Sequence, residues 1–333
     1  MRVLVTDFMG EPRIEREELP GIEVDALVNL VDYPPTMDDV LRVIAERPAQ
    51  ALISWHEISY TPDSLLALAK AGVRGIVRAG VGYDNVHLAG ARAAGIIVCN
   101  VPDYGTNEVA DHAMALLLWA LRCLRAAPPQ TADREAWWDT RRFAQIPRLQ
   151  GRTLALLGFG RIGQAVARRA QAFGFNVRWY DPYIPRGQDK ATQTTRVESV
   201  AELLDGADAL SVHCLLSDET RHVINASTLG LLPAHAVVVN TARGAVVDEV
   251  ALGDALRRGS IAAAAVDVLE HEAPVVSALY DAYMRGELPT LLMTPHAAWY
   301  SQQSVVELRR KAAAEAGRIV RGEPVWNRVP DSY

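Results

Sequence analysis

Short apolar runs rich in β-branched residues alternate with segments of helical periodicity along nearly the whole chain. Four runs in the first third are predicted to be buried strands: RVLVTDF, ALIS, GIVRAG and IIVCNV. Six more follow in the second half: TLALLGFG, NVRWYDP, ALSVHCLL, AVVVNTA, AAAAVDV and LLMTP. Strands that are buried on both faces and separated by helices form parallel sheets with right-handed crossover connections. This alternation restricts the chain to the α/β class and predicts doubly wound parallel sheets.

Chain length and two long helices indicate how the strands are divided between domains. At about 100–200 residues per domain, 333 residues predict two domains. One long helix, over 107–124, lies between the two groups of strands and can connect the domains. A closing helix, from about 301 to 321, follows the last strand and can pack back on the first domain. We predict a discontinuous domain at 1–100 and 297–333, a continuous domain at 101–296, and a cleft between them.

Composition and charge exclude several classes of protein. The 34 Lys and Arg residues against 40 Asp and Glu give a net charge of −6, which argues against a nucleic-acid partner because a phosphate backbone requires a basic surface. Cys99, Cys123 and Cys214 fit neither a disulfide framework nor a metal site, and they suit a reducing compartment. The longest apolar run, 113–121, is shorter than the roughly 20 residues that cross a bilayer. We expect a cytoplasmic protein with no metal, no membrane association and no direct nucleic-acid partner.

The sequence GFGRIG follows a predicted strand and opens a helix, which is the context of a dinucleotide-binding loop. The motif covers residues 158–163, and the positions expected to contact the cofactor are Gly158, Gly160, Arg161, Ile162 and Gly163. In such a loop the first glycine allows a tight turn, the second lets the backbone approach a pyrophosphate, and the third lets helix and strand pack closely. The helix N-terminus adds N–H groups and positive potential for the phosphates. A glycine-rich turn without a ligand is the alternative.

Asp181 favours the dinucleotide interpretation. It ends the next predicted strand, 18 residues after Gly163, near the ~20 residues expected for the acid that binds the adenosine ribose. A carboxylate there accepts hydrogen bonds from the 2′-hydroxyl and repels a 2′-phosphate, so we expect NAD(H) as the cofactor rather than NADP(H). Arg178 and Arg186 are close in sequence and could weaken that preference.

Polar side chains follow three further predicted strands. They occur in NTARG at 240–244, DVLEHE at 267–272 and TPHAAW at 294–299. Ligands of open α/β sheets bind outside the carboxyl ends of the strands, so these segments are expected to lie at one site. Hydride transfer from a nicotinamide needs an anchor for the substrate and a proton donor, and the segments contain an arginine, carboxylates and histidines that supply both.

These motifs, in this order, resemble the D-isomer-specific 2-hydroxyacid dehydrogenases. GVGYDN at 80–85 and NEVADH at 107–112 fit the same family, and the resemblance extends from about residue 50 to the end of the chain. QAFGFNVRWYDPY, SVHC and PHAAWYS are similar to the C-terminal-binding-protein (CtBP) branch, which includes corepressors that bind NAD(H). The resemblance implies a Rossmann NAD domain together with a flavodoxin-like substrate domain.

The resemblance also implies a role for each of three polar residues. Arg243 would bind the substrate carboxylate through its rigid fork of donors. His296 would protonate the carbonyl oxygen as hydride reaches C2, and would act as the base in the reverse direction. Glu272 would pair with His296, orient its ring and favour its protonated form.

The acid that pairs with His296 is ambiguous in the sequence. Glu270 and His271 precede Glu272, so a one-residue shift of the loop would exchange the candidates. The family usually has Pro directly after the Glu, whereas Ala273 intervenes here. The remaining histidines are expected to be structural: His56, His87, His112, His213, His222 and His235.

Further contacts with the substrate and the cofactor are implied by the same resemblance. The backbone N–H groups of Val81 and Gly82 would bind the substrate carboxylate. Arg78 is placed near the substrate, with a structural salt bridge as the alternative. Trp299 would form a wall for the substrate side chain, with burial at a domain contact as the alternative. The residues implied to line the cofactor are Thr106, Ile162, Cys214, Thr241 and Asp267, of which Asp267 would face the nicotinamide carboxamide.

Two functions follow from these expectations. The leading hypothesis is an NADH-dependent reductase of a 2-oxo acid with an apolar side chain, which yields the D-2-hydroxy acid. The alternative is a CtBP-like NAD(H)-sensing scaffold with weak dehydrogenase activity. The apolar helix at 107–124 is expected to be buried inside its domain or against a second subunit, and the family suggests a homodimer built around it. Residues 134–148 are expected to form a cross-subunit arm or a surface loop.

Overall fold

Two compact units make up the chain. The computed structural model describes residues 1–8, 10–32, 34–124, 141, 146–272 and 275–330. Met1–Gly105 and Tyr300–Tyr333 form one unit, here called the terminal unit, and Thr106–Trp299 form the other, here called the central unit.

The terminal unit is built on a five-stranded parallel sheet. Its strands are β1 (Arg2–Val5), β2 (Glu23–Ala26), β3 (Ala51–Ser54), β4 (Gly75–Arg78) and β5 (Ile97–Asn100), in the spatial order β2-β1-β3-β4-β5. The helices before the central unit are α1 (Arg13–Glu18), α2 (Met37–Glu46), α3 (Pro62–Lys70) and α4 (Leu88–Ala93). Every residue of β1, β3 and β4 is buried, which is why these strands are continuous apolar runs in the sequence.

The central unit is built on a seven-stranded parallel sheet. Its strands are β6 (Thr153–Leu157), β7 (Asn176–Tyr180), β8 (Thr195–Arg196), β9 (Ala209–Val212), β10 (Val237–Asn240), β11 (Ala263–Val266) and β12 (Leu291–Met293). The spatial order is β12-β11-β10-β9-β6-β7-β8. Successive strands are therefore added in one direction from β6 and in the other direction from β9, and ligands of such sheets bind at the point between them. Its helices are α5 (Thr106–Leu121), α6 (Arg161–Ala172), α7 (Gln188–Thr192), α8 (Val200–Leu204), α9 (Ala226–Leu229), α10 (Glu249–Arg258) and α11 (Ala278–Met284). The two sheets confirm the predicted α/β class with two parallel-sheet domains.

Helix α5 buries its apolar side chains within the central unit. It packs against α6, β10 and β11. Its buried residues are Val109, Ala110, Ala113, Met114, Leu116, Leu117, Ala120 and Leu121. Burial inside the unit therefore accounts for the apolar character of this helix, and a homodimer stays a prediction from the family resemblance. The segment 134–148, considered above as an arm or a loop, lies mostly outside the described residues.

The last helix, α12 (Gln302–Arg321), belongs to the terminal unit. It begins at a capping box in which the Ser301 side chain accepts from the Ser304 backbone N–H, and it packs against α1, β3 and β4. The chain then runs along the edge strand β5, where the Val329 N–H donates to the Val98 carbonyl over 2.9 Å. This pairing covers an edge that would otherwise expose unpaired backbone groups. Among the described residues, no helix is both long and apolar enough to cross a bilayer.

Candidate active site

The glycine-rich loop after β6 has the shape that a dinucleotide requires. Gly158 has a φ of +94°, and a Cβ on it would lie 2.5 Å from the Cys214 backbone nitrogen. A Cβ on Gly163 would lie 2.3 Å from the Gly158 carbonyl oxygen. A Cβ on Gly160 would meet no atom within 4 Å. Packing therefore requires the outer two glycines, whereas the middle glycine faces open space in which a pyrophosphate can approach the backbone.

The start of helix α6 adds donors to this loop. Gly160 is the N-cap, and in the described chain no side chain caps the first turn. Arg161 and Ile162 are the first two helical residues, so their backbone N–H groups lie at the positive end of the helix dipole. After β10, the hydroxyl of Thr241 is buried and has no hydrogen-bond partner among the described residues. A buried unpaired hydroxyl in the same unit as an open glycine-rich loop fits a bound dinucleotide, because a polar ligand would satisfy it.

Asp181 lies directly beyond β7, against the glycine-rich loop. Its carboxylate accepts hydrogen bonds from the Phe159 N–H over 2.9 Å and from the Tyr183 N–H over 3.0 Å. The two arginines that could weaken an NAD(H) preference are engaged elsewhere. Arg178 donates to the Asp205 backbone carbonyl over 2.5 Å. Arg186 Nη1 lies 3.3 Å from Glu198 Oε1 in an exposed contact. Each carboxylate oxygen of Asp181 accepts one of the two backbone N–H hydrogen bonds and has a further acceptor position for a ribose.

Cys214 follows β9 beside the same loop. Burial raises the pKa of the Cys214 thiol to about 12, with a smaller contribution from the Asp181 charge. The thiol is therefore neutral at physiological pH.

Arg243 is held on a tight turn after β10. Asn240 fixes this turn, because its side-chain amide donates to the Arg243 carbonyl over 2.9 Å and its oxygen accepts from the Ala242 N–H over 3.0 Å. The next residue, Gly244, touches the following loop, and a Cβ on it would lie 1.9 Å from the carbonyl carbon of Leu269. Only glycine allows this approach, which brings the Arg243 turn beside the segment that contains Glu272.

Glu272 and His296 form a close pair. The His296 Nδ1 atom lies 2.7 Å from Glu272 Oε2, and the Leu269 N–H donates to the other carboxylate oxygen over 3.1 Å. Burial opposes ionisation of Glu272, but His296, the Leu269 amide and the charge of Arg243 together outweigh it, so the pKa of Glu272 is lowered. Both side chains are about one-third exposed, at 32% for His296 and 33% for Glu272. The pair is thus ionisable, hydrogen-bonded and accessible to a ligand.

Glu270 contacts different partners. One of its oxygens lies 3.1 Å from His222 Nε2, and the other lies 3.3 Å from Arg221 Nη1. Glu270 therefore lies away from His296, and of the two acids that the sequence left as alternatives the structure places Glu272 on that ring. Ala273 and Pro274, where the sequence departs from the family pattern, lie outside the described residues.

The loop after β12 presents His296 in a left-handed conformation, with a φ of +51°. Asp267, which is 1% exposed, holds this loop. The Asp267 backbone carbonyl accepts from the His296 N–H over 2.7 Å. Its carboxylate accepts from the N–H groups of Ala297 and Ala298 over 3.0 and 2.9 Å. A buried acid therefore fixes a backbone conformation that is uncommon for a residue other than glycine.

Two residues that the sequence analysis did not select complete this arrangement. Thr294 donates its hydroxyl hydrogen to Asp267 Oδ1. His112, on helix α5, places its Nε2 atom 3.1 Å from the Thr294 hydroxyl oxygen and 3.6 Å from Asp267 Oδ1. His112 and Thr294 are 182 residues apart, so only the three-dimensional structure shows their contact.

Three other histidines have local structural contacts. His87 caps helix α4 by accepting from the Gly90 N–H over 2.9 Å. His235 lies 2.9 Å from Asp208. Burial lowers the pKa of His213 to about 3, so this ring is neutral. These observations are consistent with a structural role for His87, His213 and His235. His112 differs from them because it contacts Thr294 in the loop that bears His296.

The predicted substrate residues Arg78, Val81 and Gly82 lie in the terminal unit, at the carboxyl end of β4. Arg78 is buried and donates to the Ala79 carbonyl over 2.5 Å. The Asn100 side-chain amide donates to the Val81 carbonyl over 2.7 Å, which fixes the loop. Of the other predicted residues, Thr106 opens helix α5 and Trp299 is the last residue of the central unit.

Comparison with known proteins gives consistent matches. A family model for the NAD-binding domain of D-isomer specific 2-hydroxyacid dehydrogenases matches residues 114–298. The chain is 36% identical over 330 residues to the D-3-phosphoglycerate dehydrogenase of Methanocaldococcus jannaschii, and that match covers 99% of this chain and 59% of the relative. It is 30% identical over 324 residues to C-terminal-binding protein 1 of Caenorhabditis elegans, and that match covers 92% of this chain and 42% of the relative.

A solved structure extends the match to the whole chain. A glyoxylate reductase from Paecilomyes thermophila is 29% identical, with a TM-score of 0.82, and the match covers 100% of this chain and 98% of that one. By contrast, this chain spans less than two thirds of the length of either curated relative.

Proposed function

This chain belongs to the D-isomer specific 2-hydroxyacid dehydrogenase family, and on that premise we propose that it is an NAD(H)-dependent oxidoreductase that reduces a 2-oxo acid to the D-2-hydroxy acid. The pair formed by His296 and Glu272, 2.7 Å apart beside the Arg243 turn, is the observation that best supports the proposal. All three residues lie in the unit that contains the glycine-rich loop.

Each member of this group has one task in the proposed reaction. Arg243 binds the substrate carboxylate with parallel N–H donors, which orients the 2-oxo carbon. His296 donates a proton to the carbonyl oxygen through Nε2, since Nδ1 is bonded to Glu272. Glu272 remains ionised, orients the ring and stabilises the imidazolium before the proton is transferred. In the oxidation direction the same ring accepts the proton of the hydroxyl group.

The cofactor, when bound, supplies the hydride. Residues of the central unit would hold it: the amides around Gly160 take the pyrophosphate, Asp181 takes the adenosine ribose, and Thr241 offers its buried hydroxyl. A carboxylate at the ribose favours NAD(H) over NADP(H) by repelling a 2′-phosphate.

The side chain of the substrate is the finer part of the proposal. Trp299 favours an apolar group, because an aromatic wall stabilises apolar surface. Val81 and Gly82 would add backbone donors to the carboxylate, and Arg78 would contribute a cation. The named relatives act on different acids, a phosphoglycerate and a glyoxylate, so their names do not select one substrate for this chain.

The substrate test uses loss of NADH absorbance with 2-oxo acids whose side chains increase in apolar size. We expect turnover that increases with apolar size, and a flattened dependence in Trp299→Ala. An unaltered dependence in that variant would remove the role of Trp299.

The catalytic test uses His296→Ala. We expect a loss of about 10²–10⁴-fold in rate, the range for general acid catalysis, with NADH binding retained in a fluorescence titration. A loss of less than tenfold in a folded variant would point to a different proton donor.

A scaffold with weak activity is the second candidate, and the 30% identity with C-terminal-binding protein 1 over 92% of this chain favours it. Tight NADH binding without turnover of any 2-oxo acid would support the scaffold over the reductase. We also propose a homodimer in the cytoplasm, from the family resemblance. Light scattering that finds only monomer at micromolar concentration would contradict the dimer.

A further inference from the structure

We infer that His112 and Thr294 are positioning residues for the proton donor His296, acting through Asp267. This inference rests on the proposed function, since it explains how the ring that exchanges the proton is held in place. Neither residue is assigned a catalytic or binding role by the sequence motifs, and His112 is on a helix whose buried residues are all apolar.

The hydroxyl of Thr294 determines the direction of the hydrogen bonds. A threonine hydroxyl has a single hydrogen, and here that hydrogen goes to Asp267 Oδ1. The Thr294 oxygen is therefore an acceptor for His112 Nε2, 3.1 Å away. His112 must then carry a hydrogen on Nε2. The three groups form a directed chain from the imidazole N–H through the hydroxyl to the carboxylate.

Asp267 transmits this order to the loop that bears His296. The carboxyl group is 1% exposed, and a buried polar group needs hydrogen-bond partners. It receives the hydroxyl of Thr294 and the N–H groups of Ala297 and Ala298, while its own backbone carbonyl receives the N–H of His296. Removing the Thr294 donor would leave the acid one partner short, so the acid and the loop would shift together.

The left-handed backbone of His296 makes the ring sensitive to such a shift. Its φ of +51° is held by bonds on both sides of the residue rather than by the intrinsic preference of the chain. Glu272 orients the ring from its Nδ1 side. Asp267 sets the backbone position, Glu272 sets the ring orientation, and the two together place Nε2.

Paired variants test the Thr294 step. Thr294→Val keeps the shape of the side chain and removes the hydroxyl, whereas Thr294→Ser keeps the hydroxyl. We expect Thr294→Val to lower kcat by about 10- to 100-fold, because a misplacement of about 1 Å can cost 10²-fold. KM for the oxo acid should change much less, since Arg243 is on a different turn. Thr294→Ser should recover most of kcat. Equal kcat values in the two variants would overturn the inference.

His112 provides an independent pair that does not alter the loop itself. His112→Gln offers an amide donor in place of the imidazole N–H, and His112→Leu offers none. We expect a lower kcat in the leucine variant and recovery in the glutamine variant. Asp111→Asn is the matched control on the same helix, because Asp111 bonds Arg169 on α6 over 2.6 Å, and it should leave kcat unchanged. A positioning role would be contradicted if kcat fell only in the Asp111→Asn control. It would also be contradicted if both His112 variants kept the wild-type kcat.

A readout without turnover separates this inference from the proposed function. Proteins labelled with ¹⁵N-histidine give ring signals that report the tautomer, and the His112 and His296 signals are identified by their loss in His112→Gln and His296→Ala. We expect His112 to show hydrogen on Nε2 and Thr294→Val to shift the His296 ring signals. A wild-type protein that turns over no 2-oxo acid would overturn the proposed function. Unchanged His296 signals in Thr294→Val would overturn the positioning inference.

Discussion

At the scale of single residues, the ionised state of Glu272 links the site to pH. Its folded pKa is below the ordinary value of 4.5, despite burial, chiefly through His296. A group with a lowered pKa stabilises the fold above its unfolded pKa, and that contribution is lost as the pH falls through the folded pKa. Glu272→Gln should therefore lower Tm at about pH 7, and the difference in Tm from wild type should shrink as the pH falls below the ordinary Glu pKa of 4.5.

Thermal melts across this pH range measure the effect of Glu272→Gln directly. Glu17→Gln is the control, because Glu17 lies on the surface with its side chain 52% exposed beside Arg13. A surface change of this kind alters stability by less than about 0.5 kcal/mol. If the Tm difference between Glu272→Gln and wild type stayed constant with pH, the stabilising effect of the pair with His296 would not depend on ionisation of Glu272.

The sequence identifies some of these residues and not others, for a physical reason. Asp181 and the glycines of the dinucleotide loop are fixed by local spacing, because one βαβ unit contains them all. The choice between Glu270 and Glu272 depends on how a loop folds over its neighbours, and spacing leaves it open. His112 and Thr294 meet only because helix α5 crosses the sheet beside β11. No local pattern contains a contact between residues so distant in the chain.

At the scale of elements, Gly244 determines how closely two loops approach. A Cβ there would overlap the backbone of Leu269, at 1.9 Å from its carbonyl carbon. Gly244→Ala should destabilise the protein by about 1–3 kcal/mol, the range for overpacking, and should lower kcat because the Arg243 turn moves. Denaturant unfolding and steady-state kinetics measure the two effects.

A second glycine provides the control for Gly244→Ala. Gly253 lies within helix α10, and a Cβ there would meet only the tip of the Leu279 side chain, at 3.3 Å, and an Arg257 nitrogen at 3.4 Å. Gly253→Ala should raise stability by about 0.5–1 kcal/mol, since alanine favours a helix. Equal effects at both glycines would contradict the close approach at Gly244.

A buried ion pair joins helices α1 and α12. Arg309 donates to both oxygens of Glu15, over 2.7 and 2.6 Å, and Glu15 is 1% exposed. Arg309→Leu leaves a buried carboxylate without its cation, so it should cost about 3–5 kcal/mol. The double variant with Glu15→Leu should recover most of that loss, since apolar residues replace a buried pair at little cost. Urea unfolding of the four proteins in the cycle measures the coupling, and additive losses would contradict it.

Apolar pattern predicted the strands well, whereas the ends of the helices depended on caps. The helix predicted over 107–124 is α5 (Thr106–Leu121), and Cys123, with a φ of +50°, lies beyond its end. The helix predicted from about residue 301 begins at Gln302, with Ser301 as its N-cap. Two edge strands were not predicted. Strand β2 contains two acidic residues among its four and so has no continuous apolar run, and the two-residue strand β8 is too short to have an apolar run of its own.

At the scale of the whole molecule, the proposed cofactor contacts all belong to one unit. Gly160, Asp181 and Thr241 lie in the central unit. A ligand that binds only the folded form stabilises it by about 2.7 kcal/mol at 100 times its Kd, which slows exchange through unfolding about 100-fold. NADH should therefore slow hydrogen exchange in the core strands of the central unit far more than in the terminal unit.

Hydrogen exchange followed by mass spectrometry tests this difference between the units. Peptides from β6 and β10 report on the central unit, and peptides from β1 and β3 report on the terminal unit. Asp181→Asn keeps an acceptor for the loop and removes the charge, so it should reduce the NADH effect and increase the effect of NADPH. Equal slowing of β1 and β6 by NADH would show that the two units unfold as one. Slowing of β1 alone would place the cofactor in the other unit and contradict every role proposed here for the glycine-rich loop.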